Sequence, residues 1–210
     1  MKLPAFYPIL DADRISAVPA AEALLEAGAR ILQFRHKSFF SRKAFEEASQ
    51  IAELCRSAGA LFVVNDRVDI AMLLNAGLHL GQDDLAPSDA RRILPAASII
   101  GFSTHNEEQL RAGDLEPVDY LAIGPIFVTG SKQNPDPVVG LERLRALRPL
   151  TQKPLVAIGG ITRELAPKVF EVGADSVAII GDLLPDVRER AAEWIAISAR
   201  ARDAGGHAVL

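Results

Sequence analysis

The stretch Leu24-Leu25-Glu26-Ala27-Gly28-Ala29, which is followed by Ile31-Leu32-Gln33-Phe34-Arg35, contains the unit from which the fold of this chain is predicted. An amphipathic helical segment ends at a glycine, and a short apolar run follows before polar residues begin again. Glycine adopts the left-handed conformation at little steric cost and therefore often ends a helix. Short apolar runs rich in β-branched residues are typical of strands that are buried on both faces of a parallel sheet.

The same unit returns three times further along the chain, with its glycine at Gly59, Gly77 and Gly173. The remaining segments predict four more strands, at Phe6–Leu10, Ser98–Phe102, Tyr120–Ile123 and Leu155–Ile158. A last helix is predicted at Asp186–Ala201. Eight strand–helix units without a linker predict an α/β fold, a single (β/α)8 TIM barrel over residues 1–202. An open parallel sheet is the alternative with the same local pattern, and residues 203–210 are expected to form a frayed tail.

The composition of the 210 residues narrows the classes of function. The formal net charge is −4 and Lys and Arg form no run, which argues against a nucleic-acid or membrane-surface binder. No apolar stretch approaches the roughly 18 residues of a membrane span, and the N-terminus lacks a secretory signal. The single cysteine, Cys55, excludes an internal disulfide and lies in a helical apolar series. We therefore expect a cytoplasmic protein with Cys55 in its core.

Polar side chains at the end of the second predicted strand indicate a binding site. In barrels of this kind the active site forms at the C-terminal ends of the strands. Gln33, Arg35 and Lys37 alternate along the chain and can share one face. Together they offer an amide for the edge of a heterocycle and two cations for phosphate groups. The alternative is an outward-facing stripe on the protein surface.

Carboxylates follow the third and fourth predicted strands. Asp66 comes directly after Asn65, and Asp84 ends the run Gln82-Asp83-Asp84. Mg²⁺ is commonly held by one or two carboxylates together with substrate phosphates and water, so Asp66 and Asp84 are candidate Mg²⁺ ligands. The alternative is that each aspartate caps the helix that follows its strand.

The run Ser103-Thr104-His105-Asn106 follows the predicted fifth strand. Ser103 can donate a hydrogen bond to a heterocycle or to a phosphate. The alternative gives Thr104 or Asn106 to the cap of the next helix, with His105 as a partly exposed neighbour. His105 alone does not support a general base.

A second anionic site is predicted around the last three strands. The long segment after the sixth strand contains Thr129 and Ser131, whose hydroxyls suit a phosphate at this site, and Lys132, whose positive charge joins Arg35 and Lys37 at the first site beside Asp66 and Asp84. Such a loop in a small barrel is usually functional, and a merely flexible loop is the alternative. Gly159-Gly160 and Ile180-Gly181 end the last two strands, where barrels often bind phosphate. Two phosphate sites in one mouth indicate that two phosphorylated molecules are joined or exchanged.

The order of these motifs resembles the thiamine-phosphate synthase family over nearly the whole chain. The matching segments include Gln33-Phe34-Arg35-His36-Lys37, Asn65-Asp66-Arg67-Val68-Asp69, Gly81-Gln82-Asp83-Asp84-Leu85, Gly101-Phe102-Ser103-Thr104-His105, Gly124-Pro125-Ile126-Phe127, Thr129-Gly130-Ser131-Lys132 and Ala157-Ile158-Gly159-Gly160-Ile161. The resemblance implies a transferase that condenses a pyrimidine pyrophosphate with a thiazole phosphate. Thiamine phosphate and pyrophosphate would form by a dissociative substitution assisted by Mg²⁺, without a protein nucleophile.

The resemblance also implies a role for each matching residue. The pyrimidine pyrophosphate site would comprise Gln33, Phe34, Arg35, His36, Lys37, Asn65, Ser103 and Lys132, with Arg35, Lys37, Ser103 and Lys132 as its catalytic members. The thiazole phosphate site would comprise Thr129, Gly130, Ser131, Gly160, Ile180 and Gly181. Asp66 and Asp84 would be the Mg²⁺ ligands. No nucleic-acid or membrane partner is expected, and a homo-oligomer is compatible with the sequence.

Four positions depart from the usual family pattern, namely His36, Val128, Ser131 and Gly181, where Glu, Pro, Thr and Ser are common. Ser131 retains a hydroxyl, whereas Gly181 offers only backbone donors. Two other functions remain as alternatives, a related thiazole tautomerase and a non-catalytic binding protein for phosphorylated ligands. The pair Asp66 and Asp84 favours the synthase, because tautomerase-like relatives tend to lack these carboxylates.

Overall fold

Strands and helices alternate regularly in a computed structural model of the chain, which describes residues 2–130, 136–184 and 186–205. The strands are β1 Phe6–Asp11, β2 Ile31–Arg35, β3 Leu61–Asn65, β4 Gly77–Leu80, β5 Ile100–Thr104, β6 Tyr120–Ile123, β7 Leu155–Ile158 and β8 Ser176–Ile179. The helices are α1 Ala17–Glu26, α2 Arg42–Ser57, α3 Val68–Leu74, α4 Pro87–Ile93, α5 Glu107–Leu115, α6 Gly140–Leu147, α7 Ala166–Glu171 and α8 Val187–Gly205. Two short 3₁₀ turns, Arg148–Leu150 and Gly181–Leu183, precede β7 and follow β8.

The eight strands close into a parallel barrel in sequence order. Each strand pairs with the next, and β8 pairs with β1 through Phe6 opposite Val177. The predicted (β/α)8 barrel is therefore confirmed, and the open sheet is wrong. Because all strands run in the same direction, the residues that follow them meet at one end of the barrel.

Left-handed residues end several of the helices, as the recurring unit predicts. Gly28, Gly59 and Gly173 have positive φ angles of 105°, 63° and 105°. In the third copy the left-handed residue is Asn75, with φ of 50°, whereas Gly77 begins β4. A Cβ atom on Gly77 would lie only 3.1 Å from the Ile99 carbonyl oxygen. The prediction that Gly77 ends a helix was therefore wrong, and close strand packing accounts for that glycine.

Strand β5 begins two residues later than the sequence predicts. Ser98 lies in a turn in which its N–H donates to the Pro95 carbonyl at 2.9 Å. The Ser98 carbonyl accepts from Arg91 Nη1 at 2.5 Å, so it is already occupied by a side chain. The shift places Ser103 within the strand and not after it. The last helix also differs from the prediction, since α8 continues to Gly205, and residues 206–210 lie outside the described residues.

Two apolar layers hold the barrel together. Small and aromatic side chains fill the interior, including Tyr7, Val63, Tyr120 and Val156. A larger layer lies between the strands and the surrounding helices, where Phe6 stacks on Trp194 with ring centroids 5.5 Å apart. Across the described part of the chain, no helix is both long and apolar enough to cross a bilayer.

Cys55 lies in the outer apolar layer on α2 and is 1% exposed, as predicted. Burial raises the pKa of its thiol to about 12, because the thiolate would lose its hydration. We expect the folded protein to resist alkylation by iodoacetamide at pH 8 and to react fully after unfolding in guanidinium. Mass spectrometry of the two samples measures the difference. Rapid alkylation without loss of the folded circular-dichroism spectrum would contradict this placement.

Candidate active site

Three of the predicted pyrophosphate residues, Arg35, His36 and Lys37, each lie against a carboxylate at the C-terminal end of the barrel. Arg35 Nη1 donates to Asp11 Oδ2 at 3.0 Å, at the paired ends of β2 and β1. Lys37 Nζ forms an ion pair with Asp66, and His36 Nδ1 lies 3.0 Å from Asp13 Oδ1. Gln33 and Arg35 share one face of β2 as predicted, whereas Lys37 lies beyond the end of the strand.

Phe34 is the exception among the predicted pyrimidine-site residues. Its side chain is 1% exposed and belongs to the layer between strands and helices. It packs edge-on against Phe40, with ring centroids 6.3 Å apart. Because side chains alternate along β2, Phe34 faces away from Gln33 and Arg35. The structure does not bring the Phe34 side chain to the mouth, so only its backbone is available there.

Asp11 is a site residue that the sequence reasoning missed. It is the last residue of β1, it is 3% exposed, and its Oδ1 is buried without a hydrogen-bond partner in the described structure. A buried carboxylate is stable only when it is paired, so Arg35 and Asp11 depend on each other. The available signal was its place directly after the apolar run Phe6–Leu10, the position that singled out the other candidates.

Asp66 and Asp84 come together as predicted for Mg²⁺ ligands. Their side chains are within hydrogen-bonding contact, although they follow different strands. Asp66 holds a left-handed backbone with φ of 63°, and its N–H donates to the His79 carbonyl at 2.8 Å. Asp84 Oδ2 accepts from the Gly81 N–H at 2.7 Å. These contacts fix both carboxylates on the mouth of the barrel.

The alternative in which the two aspartates cap helices is not supported. The residue that caps α3 is Arg67 and the residue that caps α4 is Ala86, and neither helix has a side-chain cap. By contrast, Ser41 and Asn106 do cap α2 and α5 by accepting from backbone N–H groups. Asn106 thus fills the capping role expected near Ser103.

The electrostatics of the carboxylate pair suit a cation. The pKa of Asp66 is raised to about 6, mainly because burial disfavours the charged form and also because Asp84 lies beside it. Lys37 opposes this effect but does not cancel it. Two facing carboxylates can supply the protein ligands of a Mg²⁺ site whose other ligands are phosphate and water oxygens. No group of three or more His, Cys, Asp or Glu ligands occurs in the described residues, so a closed all-protein metal site is not formed there.

Asn65 Nδ2 gives a further sign of a ligand. This amide nitrogen is buried and has no hydrogen-bond partner within the described residues. Buried donors in folded proteins are almost always paired, so an orphaned one at a strand end next to Asp66 is suited to an anionic ligand. Asn65 was predicted to belong to the pyrophosphate site, and its position at the end of β3 agrees with that role.

A chain of buried hydrogen bonds, here called the relay, joins the two predicted residues Gln33 and Ser103 across the barrel interior. Gln33 Nε2 donates to Tyr7 Oη at 3.0 Å, and Tyr7 Oη lies 2.8 Å from Tyr120 Oη. Tyr120 Oη lies 2.9 Å from His79 Nδ1, and His79 Nε2 lies 2.9 Å from Ser103 Oγ. Sequence reasoning missed the three middle residues, for which the only signal was a polar group within an otherwise apolar strand.

The loops after β6 and β7 are joined by their backbones near the predicted thiazole phosphate site. The Ile126 N–H donates to the Ile158 carbonyl at 2.9 Å, and the Phe127 N–H donates to the Gly159 carbonyl at 3.0 Å. Gly160 has φ of 66°, and a Cβ atom there would collide with the Phe127 and Val128 backbone. These contacts explain why position 160 is a glycine.

The remaining thiazole-site residues are only partly described. Thr129 and Gly130 lie in the loop after β6, whereas Ser131 and the catalytic candidate Lys132 lie outside the described residues. Ile180 packs against the barrel interior, and Gly181 begins the 3₁₀ turn after β8. Arg163 Nε donates to Asp182 Oδ2 at 3.0 Å, which ties the loop after β7 to the loop after β8.

Replacing Gly160 with alanine is expected to destabilise the fold by more than about 1 kcal/mol, because a left-handed backbone and a backbone collision both oppose a Cβ atom. Gly181→Ala is the matched control, since a Cβ atom there would meet nothing within 4 Å. Chemical denaturation of both variants measures the difference. Equal stability of the two variants would show that the loops are not packed as described.

His105 is held by the loop after β6. Its Nδ1 lies 2.6 Å from the Gly124 carbonyl oxygen and 3.5 Å from Asp136 Oδ2. A carbonyl oxygen only accepts, so Nδ1 carries the proton. His105 thereby positions the start of that loop.

Comparison with known proteins identifies the family of the chain. A family model described as thiamine monophosphate synthase matches residues 6–183. The chain is 49% identical over 205 residues to the thiamine-phosphate synthase of Koribacter versatilis, covering 94% of this chain and 97% of that protein. It is 38% identical to the corresponding protein of Pelotomaculum thermopropionicum, covering 90% and 88%. The structure of thiamine phosphate pyrophosphorylase from Pyrococcus furiosus superposes with a TM-score of 0.86 at 33% identity, covering 94% and 96%. The chain belongs to the thiamine monophosphate synthase family.

Proposed function

We propose that this thiamine-phosphate synthase uses Asp66 and Asp84 to hold Mg²⁺ against the pyrophosphate of its pyrimidine substrate. The observation that carries the proposal is the contact between these two carboxylates beside Lys37 at the mouth of the barrel. Bound Mg²⁺ would neutralise part of the pyrophosphate charge and improve it as a leaving group. The carboxylate pair also favours the synthase over a metal-independent tautomerase.

The cations of the site stabilise the departing pyrophosphate. Arg35 presents a planar fork that suits phosphate oxygens, and Lys37 adds a point charge. Asp11 and Asp66 keep these two cations in place before the substrate binds. We assign Lys132 and the Asn65 amide to the same phosphate groups. Such preformed charges assist most where negative charge grows during the reaction.

The chemical step is a substitution at the methylene carbon of the pyrimidine. The bond from carbon to the pyrophosphate oxygen breaks, and its electron pair leaves with pyrophosphate. The amino group of the pyrimidine ring stabilises the resulting cation, and the lone pair of the thiazole nitrogen forms the new carbon–nitrogen bond. The protein supplies charge stabilisation and alignment of the two substrates, and no side chain acts as a nucleophile.

The thiazole phosphate is assigned to the loops after β6, β7 and β8. Thr129, Gly130, Ser131, Gly160, Ile180 and Gly181 are the residues proposed to contact it. The joined backbones of the loops after β6 and β7 support this assignment, because close packing holds Gly160 in one conformation. We propose small-molecule substrates only, no nucleic-acid partner, and a cytoplasmic location.

The experiment that tests this proposal is pyrophosphate release by the purified protein. Both heterocyclic phosphates are supplied with Mg²⁺ or with a chelator, and each is also omitted in turn. We expect release only with both substrates and Mg²⁺, together with an equal amount of thiamine phosphate. Tight binding without product would indicate the binding protein, and isomerisation of the thiazole alone would indicate the tautomerase.

A further inference from the structure

The middle of the relay has no part in the mechanism described above, although it is entirely buried. Tyr7 and Tyr120 are 1% and 0% exposed, and His79 is 8% exposed. Burying three polar side chains in the barrel interior is costly unless every donor has an acceptor. Packing alone therefore does not explain why the relay is present. An explanation comes from its two ends, because the relay decides whether each end donates or accepts a hydrogen bond.

The direction of one hydrogen bond in the relay fixes the direction of all the others. A tyrosine hydroxyl carries one proton and a neutral imidazole carries one N–H. Each buried hydroxyl proton needs an acceptor, so when Gln33 donates to Tyr7, Tyr7 donates to Tyr120 and Tyr120 donates to His79 Nδ1. Nε2 of His79 then carries the proton and donates to Ser103. Burial raises the pKa values of both tyrosines above the ordinary value of 10.0, which keeps their hydroxyl protons in place.

The two ends of the relay therefore present one hydrogen-bond acceptor and one hydrogen-bond donor to a ligand. Gln33 uses its amide nitrogen inside the barrel and retains its amide oxygen as an acceptor. Ser103 accepts from His79 and retains its hydroxyl proton as a donor. If the Gln33 amide turned over, every bond in the relay would reverse, and Gln33 would become the donor and Ser103 the acceptor. With a neutral imidazole at His79, no intermediate arrangement pairs all of the buried groups.

We propose that the relay sets the hydrogen-bonding polarity of the pyrimidine pocket, with His79 as the positioning residue that holds Ser103 as a donor. This inference rests on the proposed function. An aminopyrimidine edge has an amino donor beside a ring-nitrogen acceptor, which matches an acceptor at Gln33 and a donor at Ser103. An oxopyrimidine edge has the reverse pattern and requires the whole relay to reverse. The relay thus discriminates between two ligands of nearly equal size.

Gly101 makes the relay possible at the centre of the barrel. It lies opposite Tyr120 in the pairing of β5 with β6, and a Cβ atom there would collide with the Tyr120 ring. The ring consequently lies across β5 and stacks on His79, with ring centroids 5.6 Å apart and planes inclined by 21°. The segment Gly101-Phe102-Ser103 therefore provides both the space for Tyr120 and the end of the relay.

Binding measurements without thiazole phosphate test the proposal, because the amino group also takes part in the chemical step. Dissociation constants are compared for the aminopyrimidine pyrophosphate and its oxo analogue. We expect the wild-type protein to prefer the amino form on the order of 10- to 100-fold. Tyr120→Phe and Tyr7→Phe each break the relay, so each should reduce this preference by about tenfold. Leu121→Val is the matched control, since Leu121 is buried beside Tyr120 but faces the helices.

The ¹⁵N NMR spectrum of His79 gives a second readout that a purely structural role would not change. The signals are assigned among the four histidines by their loss in His79→Gln. We expect Nδ1 without a proton and Nε2 with one in the wild-type protein, and a mixture of tautomers in Tyr120→Phe. Both wild-type measurements stand even if a variant fails to fold.

Two outcomes would overturn the proposal, namely a proton on His79 Nδ1 in the wild-type protein, or equal wild-type affinity for the two pyrimidines. Either result obtained with protein that still makes thiamine phosphate would reject the relay and leave the proposed function intact. Failure to make thiamine phosphate would reject the proposed function itself. An unchanged preference in both tyrosine variants would likewise reject the coupling between the two ends.

Discussion

Substitution of Asp66 with asparagine should lower kcat/KM by about 10²–10³ while the protein remains folded. Asparagine tolerates the left-handed backbone that Asp66 adopts, with φ of 63°, so the loop conformation is retained. The loss is expected because a neutral amide is a poor Mg²⁺ ligand and removes one of two carboxylates. Steady-state rates at several Mg²⁺ concentrations measure the effect, and added Mg²⁺ should restore part of the rate.

The stability of the same variant provides the control. The raised pKa of Asp66 decides whether the variant is more or less stable than the wild-type protein at a given pH. A folded-state pKa of about 6, above the ordinary 3.8, means that the folded protein favours the protonated carboxyl. The stability due to that proton is present at low pH and is lost as the pH rises through about 6. Without Mg²⁺, Asp66→Asn should therefore be more stable than wild type at pH 8, with a smaller difference at pH 5. Greater loss of stability at pH 8 would contradict the environment assigned to Asp66.

Substitution of Arg35 with alanine should lower both activity and stability. The rate should fall by about 10²–10³, because Arg35 stabilises the departing pyrophosphate. The free energy of unfolding should fall by roughly 3 kcal/mol, because Asp11 becomes a buried carboxylate without a partner. Enzyme assays and urea denaturation at pH 7.5 measure the two effects separately.

The double variant Arg35→Ala/Asp11→Ala separates the two roles of Arg35. Removing the carboxylate as well as its partner leaves no buried charge, so much of the stability should return. Activity should stay low, since the phosphate-binding cation is still missing. If the double variant recovered activity, Arg35 would be needed only to neutralise Asp11. If Arg35→Ala alone were as stable as wild type, the buried ion pair would contribute nothing.

The architecture could be predicted from the sequence because its signal is repeated along the chain. A helix end, a glycine and a short apolar run recur often enough to indicate the barrel, even though the role assigned to Gly77 was wrong. The placement of polar residues directly after apolar runs identified Arg35, Asp66 and Asp84. The start of β5 could not be predicted, because it depends on Arg91 binding the Ser98 carbonyl from another element.

The parts of the site that were missed have only a weak local signature. Tyr7 and His79 are single polar groups inside apolar strands, and only the closed barrel brings them together. Asp11 directly follows the predicted strand Phe6–Leu10, but its importance depends on Arg35, which the pairing of β1 with β2 brings beside it. Phe34 was included because it lies within a matching segment, yet alternation along β2 turns its side chain away from the mouth. A motif identifies which residues matter, whereas strand register decides which side chains meet.

The most direct test of the account is a crystal structure of the protein with pyrophosphate and Mn²⁺ in place of Mg²⁺. The anomalous scattering of Mn²⁺ locates the metal without reference to the rest of the model. We predict one peak between the carboxylates of Asp66 and Asp84, in contact with a pyrophosphate that is also bound by Arg35 and Lys37. Pyrophosphate bound elsewhere, or a metal that contacts neither carboxylate, would contradict the account.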